Sequence, residues 1–384
     1  MDAFDEALDY RDRHHRARER MAARGLDALL LTGGPNLTYF TGVSGMLGAN
    51  SGSRPLLYVL PREGQPVLVA HRFLTGNVSE AGVDLRVVTY DRLSSLPARQ
   101  LREALEALEL SDGRIGAELG PETTLSVPAG EFTEFVEASA TEVVDAQPLL
   151  VDLRCRKSAA EVERIERACE LTAAAFERTF DVLEAGMTGA AVESLVCRQL
   201  LEAGGRAPWA LVTGGGDYGR TASGGDDRSV RAGDMVWIDC GCAVDGYWSD
   251  YSRAGVVGGA SAKQRDAQRA VHEITREAVE AIEPGVTMSS VARRAEEAVE
   301  VLDLPITDRV SQRAGRMGHG LGVQVTELPS LCADTDRTFE PGAVVTVEPA
   351  FATAYGTFHV EENVVVTETG SRTLSDDRWQ LRSI

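Results

Sequence analysis

The sequence predicts a chain of two mixed α/β domains, a smaller one over residues 1–150 and a larger one over residues 151–384. The length of 384 residues is too great for one ordinary hydrophobic core. In the first 150 residues, short apolar runs alternate with helical patterns, as they do in α/β domains. The remainder repeats a helix–turn–helix–strand unit of roughly a hundred residues, which is longer than solenoid repeats and indicates a domain of two duplicated halves.

The elements of the smaller domain follow from apolar runs and turn residues. A helix is predicted over residues 4–24, with Gly25 as its C-terminal cap. The next apolar run, residues 28–31, predicts a buried strand that stops at residues 33–35. The other predicted elements are strands at 55–60, 65–70, 85–90 and 114–118 and a helix at 98–110. The strands at 55–60 and 65–70 are expected to pair around a turn at 62–64.

The larger domain opens with a long predicted helix over residues 158–184, which ends at Gly186. Ser158 and Glu161 form the pattern of a capping box, which satisfies free backbone N–H groups at a helix start. Two segments then occur twice: EAGMT at 184–188 recurs as EPGVT at 283–287, and GDMVWID at 233–239 recurs as GAVVTVE at 342–348. The repeated order indicates that one unit was used twice.

The duplication places a carboxylate at the same point of each half. Asp239 and Glu348 each follow an apolar run, and a carboxylate in a buried strand is costly unless it is paired or bound to a metal. A second acid follows each of them: Asp250 is eleven residues after Asp239, and Glu361 is thirteen residues after Glu348. These spacings fit hairpins with turns at residues 245–246 and 355–356.

Four carboxylates that face one cavity repel one another unless cations neutralise them. His319 lies in a glycine-rich segment, where the backbone can approach a ligand closely. Oxygen ligands with one imidazole favour Mn²⁺, Co²⁺ or Zn²⁺. The alternative is that the acids form separate salt bridges or surface charges, but their duplicated pattern favours a shared metal site.

Composition excludes several functional classes. The net charge of −20 disfavours nucleic acid and anionic membranes as partners. No apolar run is long enough to span a bilayer, and the charged first 20 residues contain no apolar signal core, so we expect a cytoplasmic protein. Six scattered cysteines are not a disulfide framework. The scarcity of lysine fits either a GC-rich genome or a salt-adapted host.

Nearly the whole chain resembles the pita-bread metallopeptidases, which include Xaa-Pro dipeptidase, aminopeptidase P and methionine aminopeptidase, with creatinase as a relative. The matching segments are NLTYFTG (36–42), LR (153–154), KS (157–158), VWIDCG (236–241), DGYWSDYSR (245–253), GHGLG (318–322), TVEP (346–349) and VEENVVVTE (360–368). The resemblance implies a creatinase-like N-terminal α/β domain. It also implies a pita-bread catalytic domain with pseudo-twofold symmetry, in agreement with the duplication.

The resemblance also implies a role for each ligand. Asp239 would hold one ion, Asp250 and Glu361 would bridge two ions, and His319 and Glu348 would complete the ligand set of the second ion. Two such ions share a water and polarise a carbonyl, and Glu348 would act as the general base. The expected reaction is hydrolysis of an amide, with Xaa-Pro peptides as default substrates, Mn²⁺ as the first choice of metal, and a homodimer as the assembly.

Two histidines of the family pattern are missing from this chain. The peptidases have a histidine upstream of the first aspartate strand, where Ser223 lies in TASGG (221–225) here. They have another seven residues after the metal-binding histidine, where this chain has Thr326. Both imidazoles contact the scissile amide in the family, so Ser223 and Thr326 become the candidate substrate-binding residues.

His359 occupies the place of a family arginine two residues before Glu361. Residues i and i+2 of a strand share a face, so His359 is a candidate catalytic residue in the same cavity, or else a solvent-facing or supporting side chain.

Because the two family histidines are missing, two other functions remain possible for this chain. One is a metal-dependent hydrolase or lyase of a small non-peptide metabolite, and the other is a catalytically silent binding module.

Overall fold

The computed structural model describes residues 8–43, 53–78, 81–216, 218 and 227–384. These residues form two compact units, one ending at Arg154 and one running from Cys155 to Ile384. The division falls where the helix Gln147–Arg154 ends, whereas the sequence predicts it after residue 150. None of the described helices is long and apolar enough to cross a membrane.

The smaller unit is a mixed six-stranded sheet with helices packed against it. Its strands are β1 (Ala28–Leu31), β2 (Leu57–Pro61), β3 (Val67–His71), β4 (Arg86–Tyr90), β5 (Arg114–Ala117) and β6 (Glu142–Asp145), in the spatial order β4-β3-β2-β1-β5-β6. Its helices are α1 (Tyr10–Ala23), α2 (Gly34–Thr41), α3 (Thr75–Val78), α4 (Ala98–Ala107), α5 (Ala129–Glu137) and α6 (Gln147–Arg154). The five predicted strands and the helix at 98–110 are confirmed, with small shifts at their ends.

Two predicted features of the smaller unit are corrected. Helix α1 begins at Tyr10, because the side chain of Asp9 accepts a hydrogen bond from the Asp12 N–H (2.9 Å) and so caps the helix; residues 4–7 lie outside the described residues. The segment predicted only to stop strand β1 in fact opens helix α2. Pro35 fits there because the first helical turn needs no N–H donor from it.

The larger unit contains five helices and thirteen strands among its described residues. The helices are α7 (Ala159–Val182), α8 (Gly189–Ala203), α9 (Ala262–Glu280), α10 (Met288–Glu300) and α11 (Val310–Ala314). The strands are β7 (Arg206–Thr213), β8 (Met235–Val244), β9 (Tyr247–Trp248), β10 (Tyr251–Val256), β11 (Ile306–Asp308), β12 (His319–Gly320), β13 (Glu327–Ser330), β14 (Val344–Val347), β15 (Ala350–Thr353), β16 (Gly356–His359), β17 (Glu362–Val366), β18 (Ser371–Thr373) and β19 (Arg382–Ser383). They form three sheets, ordered β19-β10-β8-β7 with β9 beside β8, β11-β15-β16, and β13-β12-β14-β17-β18.

The predicted duplication is visible in the hydrogen bonding of the two halves. The Gly186 N–H donates to the Val230 carbonyl (2.8 Å) at the turn before α8. In the second half, the Gly285 N–H donates to the Phe339 carbonyl (2.9 Å) at the turn before α10. The predicted capping box of Ser158 is also present at the start of α7. The two halves share one apolar core, to which Trp237, Val271 and Phe358 belong.

Candidate metal centre

The side chains of the five predicted metal ligands converge in the larger unit. Asp239 lies in β8, Asp250 directly precedes β10, His319 opens β12, Glu348 follows β14, and Glu361 directly precedes β17. Asp239, Asp250, His319 and Glu361 are buried, with exposed fractions between 1% and 8%. The side chain of Glu348 is 17% exposed, so this carboxylate is the most accessible of the five ligands.

Two hairpin-like pairings bring these residues together. Strand β8 runs antiparallel to β10 and pairs Asp239 with Ser252, so Asp250 lies beside Asp239. The predicted turn at residues 245–246 is confirmed, because both residues have positive φ angles of 47° and 86°. In the other half, Thr353 pairs with Gly356. That turn therefore covers residues 354–355, one position earlier than predicted, since Gly356 already belongs to β16.

Backbone hydrogen bonds fix the orientation of the ligands. The Asp250 N–H donates to the side-chain oxygen of Asn363 (3.0 Å), whose amide group donates back to the Asp250 carbonyl. The His319 N–H donates to the hydroxyl of Thr346 (3.0 Å). The Nδ1 of His319 lies 3.0 Å from the Gly320 carbonyl, a contact that favours a proton on Nδ1 and leaves Nε2 as an acceptor.

Gly318 permits the close approach that this arrangement needs. A Cβ atom at Gly318 would lie 2.1 Å from the carbonyl oxygen of Thr346, which no real side chain tolerates. The neighbouring backbone of Met317 accepts a hydrogen bond from the Glu348 N–H (2.9 Å). The glycine before His319 therefore lets this segment pack directly on β14, which carries Glu348 at its end.

The donor atoms form two overlapping groups. Nε2 of His319 lies 3.3 Å from Oδ2 of Asp250 and 3.7 Å from Oε1 of Glu348. Asp250, His319 and Glu361 each place one donor atom within 4.8 Å of the others, and so do Asp239, His359 and Glu361. Glu361 belongs to both groups, which is the arrangement expected of a carboxylate between two neighbouring ions.

Burial and mutual repulsion make the cluster unfavourable without cations. Burial raises the pKa of Asp250 to about 7 and that of Glu348 to about 7. Burial, followed by repulsion from neighbouring carboxylates, holds the pKa of Asp239 and of Glu361 well above their usual ranges. Asp239 Oδ1 and both Glu361 carboxylate oxygens are buried without a hydrogen-bond partner. These orphaned oxygens fit divalent cations as their missing partners.

His359 is buried in the same cluster, which excludes the solvent-facing alternative. The whole residue is 6% exposed, and its imidazole ring stacks on the Trp237 ring with the two centroids 5.2 Å apart. Nε2 lies 3.8 Å from Oε2 of Glu361 and 3.9 Å from Oε2 of Glu348. Burial lowers the pKa of His359 to about 3, so the imidazole is neutral in this environment.

A cavity of about 310 Å³ opens onto the metal-ligand cluster. Thr326 lines this cavity together with His359. Ser223, the other candidate substrate-binding residue, lies outside the described residues. The apolar part of the wall includes Trp209, Leu211 and Val325.

Sequence reasoning missed Arg316, which also lines the cavity. Its Nε lies 3.8 Å from Oε1 of Glu348, and its side chain is 30% exposed. The signal was present, because Arg316 is three residues before His319 in the same glycine-rich segment. Arg313 lines the cavity as well, but its guanidinium is held by Asp308 at 2.9 Å.

The buried carboxylates and imidazoles of the two duplicated halves, open to a small cavity, form a site of the kind that metal-dependent hydrolases use. The model of metallopeptidase family M24 matches residues 163–368, and the creatinase/prolidase N-terminal domain matches residues 13–156. The chain belongs to metallopeptidase family M24.

Similar proteins of comparable length agree with this membership. The Xaa-Pro dipeptidase of Pyrococcus horikoshii is 25% identical over 371 residues, which cover 94% of this chain and 96% of that protein. The Xaa-Pro dipeptidase of Pyrococcus furiosus is 29% identical over 270 residues, which cover 68% of this chain and 75% of that protein. The crystal structure of dipeptidase PepE from Mycobacterium ulcerans has a TM-score of 0.82 and 26% identity, and the match covers 100% of both chains.

These matches confirm three predictions: the pita-bread fold with its N-terminal domain, an enzyme rather than a silent binding module, and a metallopeptidase that uses divalent ions. A hydrolase or lyase of a small non-peptide metabolite is not favoured, because the similar proteins are peptidases.

Proposed function

We propose that this chain hydrolyses the amide bond of short peptides, with Xaa-Pro dipeptides as its substrate class. Two divalent ions would be held by Asp239, Asp250, His319, Glu348 and Glu361. The observation that carries the proposal is the pair of overlapping buried donor groups that share Glu361. The ligand set is rich in oxygen, which favours Mn²⁺, with Co²⁺ or Zn²⁺ as substitutes.

Bound divalent ions supply an activated water and polarise the amide carbonyl. Glu348 then serves as the proton carrier of the reaction. Its carboxylate is the most exposed of the ligands and lines the cavity, so it can reach both the attacking water and the leaving nitrogen of a bound substrate. Glu348 would accept the proton of the attacking water and deliver it to the leaving nitrogen.

The cavity wall supplies binding groups for a small substrate. Trp209, Leu211 and Val325 offer an apolar surface for a proline ring. The Thr326 hydroxyl would donate a hydrogen bond to the substrate carbonyl oxygen. Arg316 is the cation best placed for the C-terminal carboxylate of a dipeptide, because metal binding at Glu348 would leave its guanidinium free to pair with substrate.

The same proposal includes a homodimer in the cytoplasm. Two chains of 41.2 kDa would sediment as one species of about twice that mass. The six cysteines are unpaired thiols, and Cys169, Cys240 and Cys242 are buried, as expected in a reducing compartment.

The test measures the hydrolysis of Xaa-Pro dipeptides, and of the corresponding Xaa-Ala dipeptides, by wild-type protein loaded with Mn²⁺, Co²⁺ or Zn²⁺. Proline release that depends on metal, with preference for the proline substrates, supports the proposal. Glu348→Gln is the matched control, since it keeps an oxygen ligand but cannot carry the proton; it should retain metal and lose turnover. A wild-type protein that binds two ions but cleaves neither peptide series would overturn the proposal.

A further inference from the structure

His359 has a buried nitrogen with no hydrogen-bond partner. The residue ends strand β16, where it pairs with Ala350, and its side chain is 8% exposed. Its Nε2 is among the buried polar atoms that lack a partner in the described structure. An orphaned nitrogen in a buried site costs free energy, so it needs a partner that the polypeptide itself does not provide.

Contacts around the imidazole ring of His359 fix its orientation. The imidazole stacks on Trp237 at an interplanar angle of 25°, and the His359 carbonyl accepts a hydrogen bond from the Ser252 hydroxyl (3.1 Å). Nε2 thereby points toward Oε2 of Glu361 and Oε2 of Glu348, at 3.8 and 3.9 Å. These distances are too long for hydrogen bonds.

The same distances suit two ligands of one ion. Donors that each lie about 2.1 Å from a common metal are separated by about 3.0–4.2 Å, depending on the angle at the metal. The Nε2–Glu361 distance of 3.8 Å falls within that interval. Asp239 completes the group, and its Oδ1 is also an orphaned buried atom.

We propose that His359 is itself a metal ligand, which binds through Nε2 to the ion held by Asp239 and Glu361. This inference rests on the two-ion site of the proposed function. Each ion would then carry one imidazole, His359 on the first and His319 on the second. An added nitrogen ligand shifts the preference of the first ion from Mn²⁺ toward Co²⁺ and Zn²⁺, because imidazole suits these metals better than an all-oxygen shell does.

The variant His359→Phe keeps a ring to stack on Trp237 and removes the nitrogen. His272→Phe is the matched control, because His272 stacks on Trp379 at 3.8 Å in another part of the unit and belongs to neither donor group. Calorimetric titration with Mn²⁺ and with Zn²⁺ gives the stoichiometry and affinity of each site. Pulsed electron paramagnetic resonance of the Mn²⁺-loaded protein counts the coordinated imidazole nitrogens.

We expect two coordinated imidazoles in the wild type and in His272→Phe, and one in His359→Phe. One site of His359→Phe should bind Zn²⁺ at least about 10-fold more weakly, with a smaller loss for Mn²⁺. An unchanged nitrogen count and unchanged Zn²⁺ affinity in His359→Phe would overturn the inference while leaving the proposed function intact. A wild type that fails to bind two ions would instead defeat the two-ion site. If His359→Phe does not fold, His359→Gln serves for the same nitrogen count.

Discussion

At the scale of single residues, the cavity has two arginines with different surroundings. Arg313 is held by Asp308 through contacts of 2.9 and 3.1 Å, whereas Arg316 faces the carboxylate of Glu348 at 3.8 Å. A divalent ion on Glu348 would neutralise that carboxylate and weaken its hold on Arg316. Arg313 is therefore neutralised by its own carboxylate partner, whereas Arg316 would become available to an anionic substrate once an ion occupies the site.

Replacing Arg316 with Gln should raise the KM of a dipeptide about 10-fold or more, because a charge-assisted hydrogen bond contributes about 1.5–3 kcal/mol. The KM of the corresponding dipeptide amide, which lacks the carboxylate, should hardly change. Arg316→Lys should keep part of the affinity, and Arg313→Gln is the matched control for a cavity arginine with its own partner. Equal losses on dipeptide and amide would contradict this role for Arg316.

Thr326 occupies the position at which the family pattern has a histidine. Its hydroxyl can also donate a hydrogen bond, but the threonine side chain is shorter than that of histidine. Thr326→Val keeps the shape and removes the donor, so kcat should fall about 100-fold if the hydroxyl stabilises the oxyanion. Thr326→Ser restores the hydroxyl and should recover most of that loss. Steady-state kinetics on one dipeptide decide the matter, and a Val variant with wild-type kcat would exclude Thr326 from the reaction.

At the scale of elements, a buried ion pair anchors the segment that follows Thr326. Nζ of Lys157 lies 3.4 Å from Oε2 of Glu327 at the start of β13, and both side chains are 2% exposed. The other Glu327 oxygen accepts a hydrogen bond from the Gln324 N–H (3.1 Å). The pair connects the segment that precedes α7 to the loop between β12 and β13, and this loop carries Thr326 into the cavity.

Lys157→Met should lower the free energy of unfolding of the larger unit by about 3–5 kcal/mol, because it removes the cation that neutralises the buried Glu327 carboxylate. Adding Glu327→Gln to this variant should restore part of the stability. The surface pair Arg372–Glu166, with side chains 49% and 40% exposed, gives a matched control: Arg372→Met should cost less than about 1 kcal/mol. Urea unfolding followed by tryptophan fluorescence measures all three variants; similar losses for Lys157→Met and Arg372→Met would refute the argument.

Elements with a local signal could be predicted from the sequence, whereas elements made by tertiary contacts could not. The capping box of α7 and the turn at residues 245–246 depend on neighbouring residues and were correct. Helix α2 was missed because its opening Gly34 and Pro35 also mark the end of a strand. The two-residue strand β12 has no period of its own and exists because it pairs with β14.

The same distinction applies to the site. The order of the five ligands and the duplicated positions of the four carboxylates point to one shared site. The stacking of His359 on Trp237 leaves no mark in the sequence, and the position of Arg316 three residues before His319 does not by itself predict its approach to Glu348. Both depend on residues far apart in the chain that only the folded sheets bring together.

At the scale of the whole molecule, the four buried carboxylates of the metal-ligand cluster repel one another and lower the stability of the larger unit when no cation neutralises them. All four tryptophans, Trp209, Trp237, Trp248 and Trp379, lie after Cys155, so tryptophan fluorescence reports the unfolding of this unit alone. This optical separation matters because a chain of two units need not unfold in one step.

Chelation should lower the unfolding midpoint of the larger unit, and the loss should be greater at pH 8 than at pH 6. The pKa values of Asp250 and Glu348 rise to about 7 in the folded, metal-free site, so the folded state binds their protons more tightly than the unfolded chain does. Stability from such groups is fully present at low pH and is lost as the pH rises through about 7. Bound ions should oppose that loss, contributing about 2.7 kcal/mol at a hundredfold excess over Kd.

Thermal unfolding followed by tryptophan fluorescence, with Mn²⁺ and with chelator at both pH values, tests this expectation. The variant Asp250→Ala, which removes one ligand, should respond weakly to added metal. A chelated protein as stable at pH 8 as at pH 6 would show that the acids do not repel one another as the geometry implies.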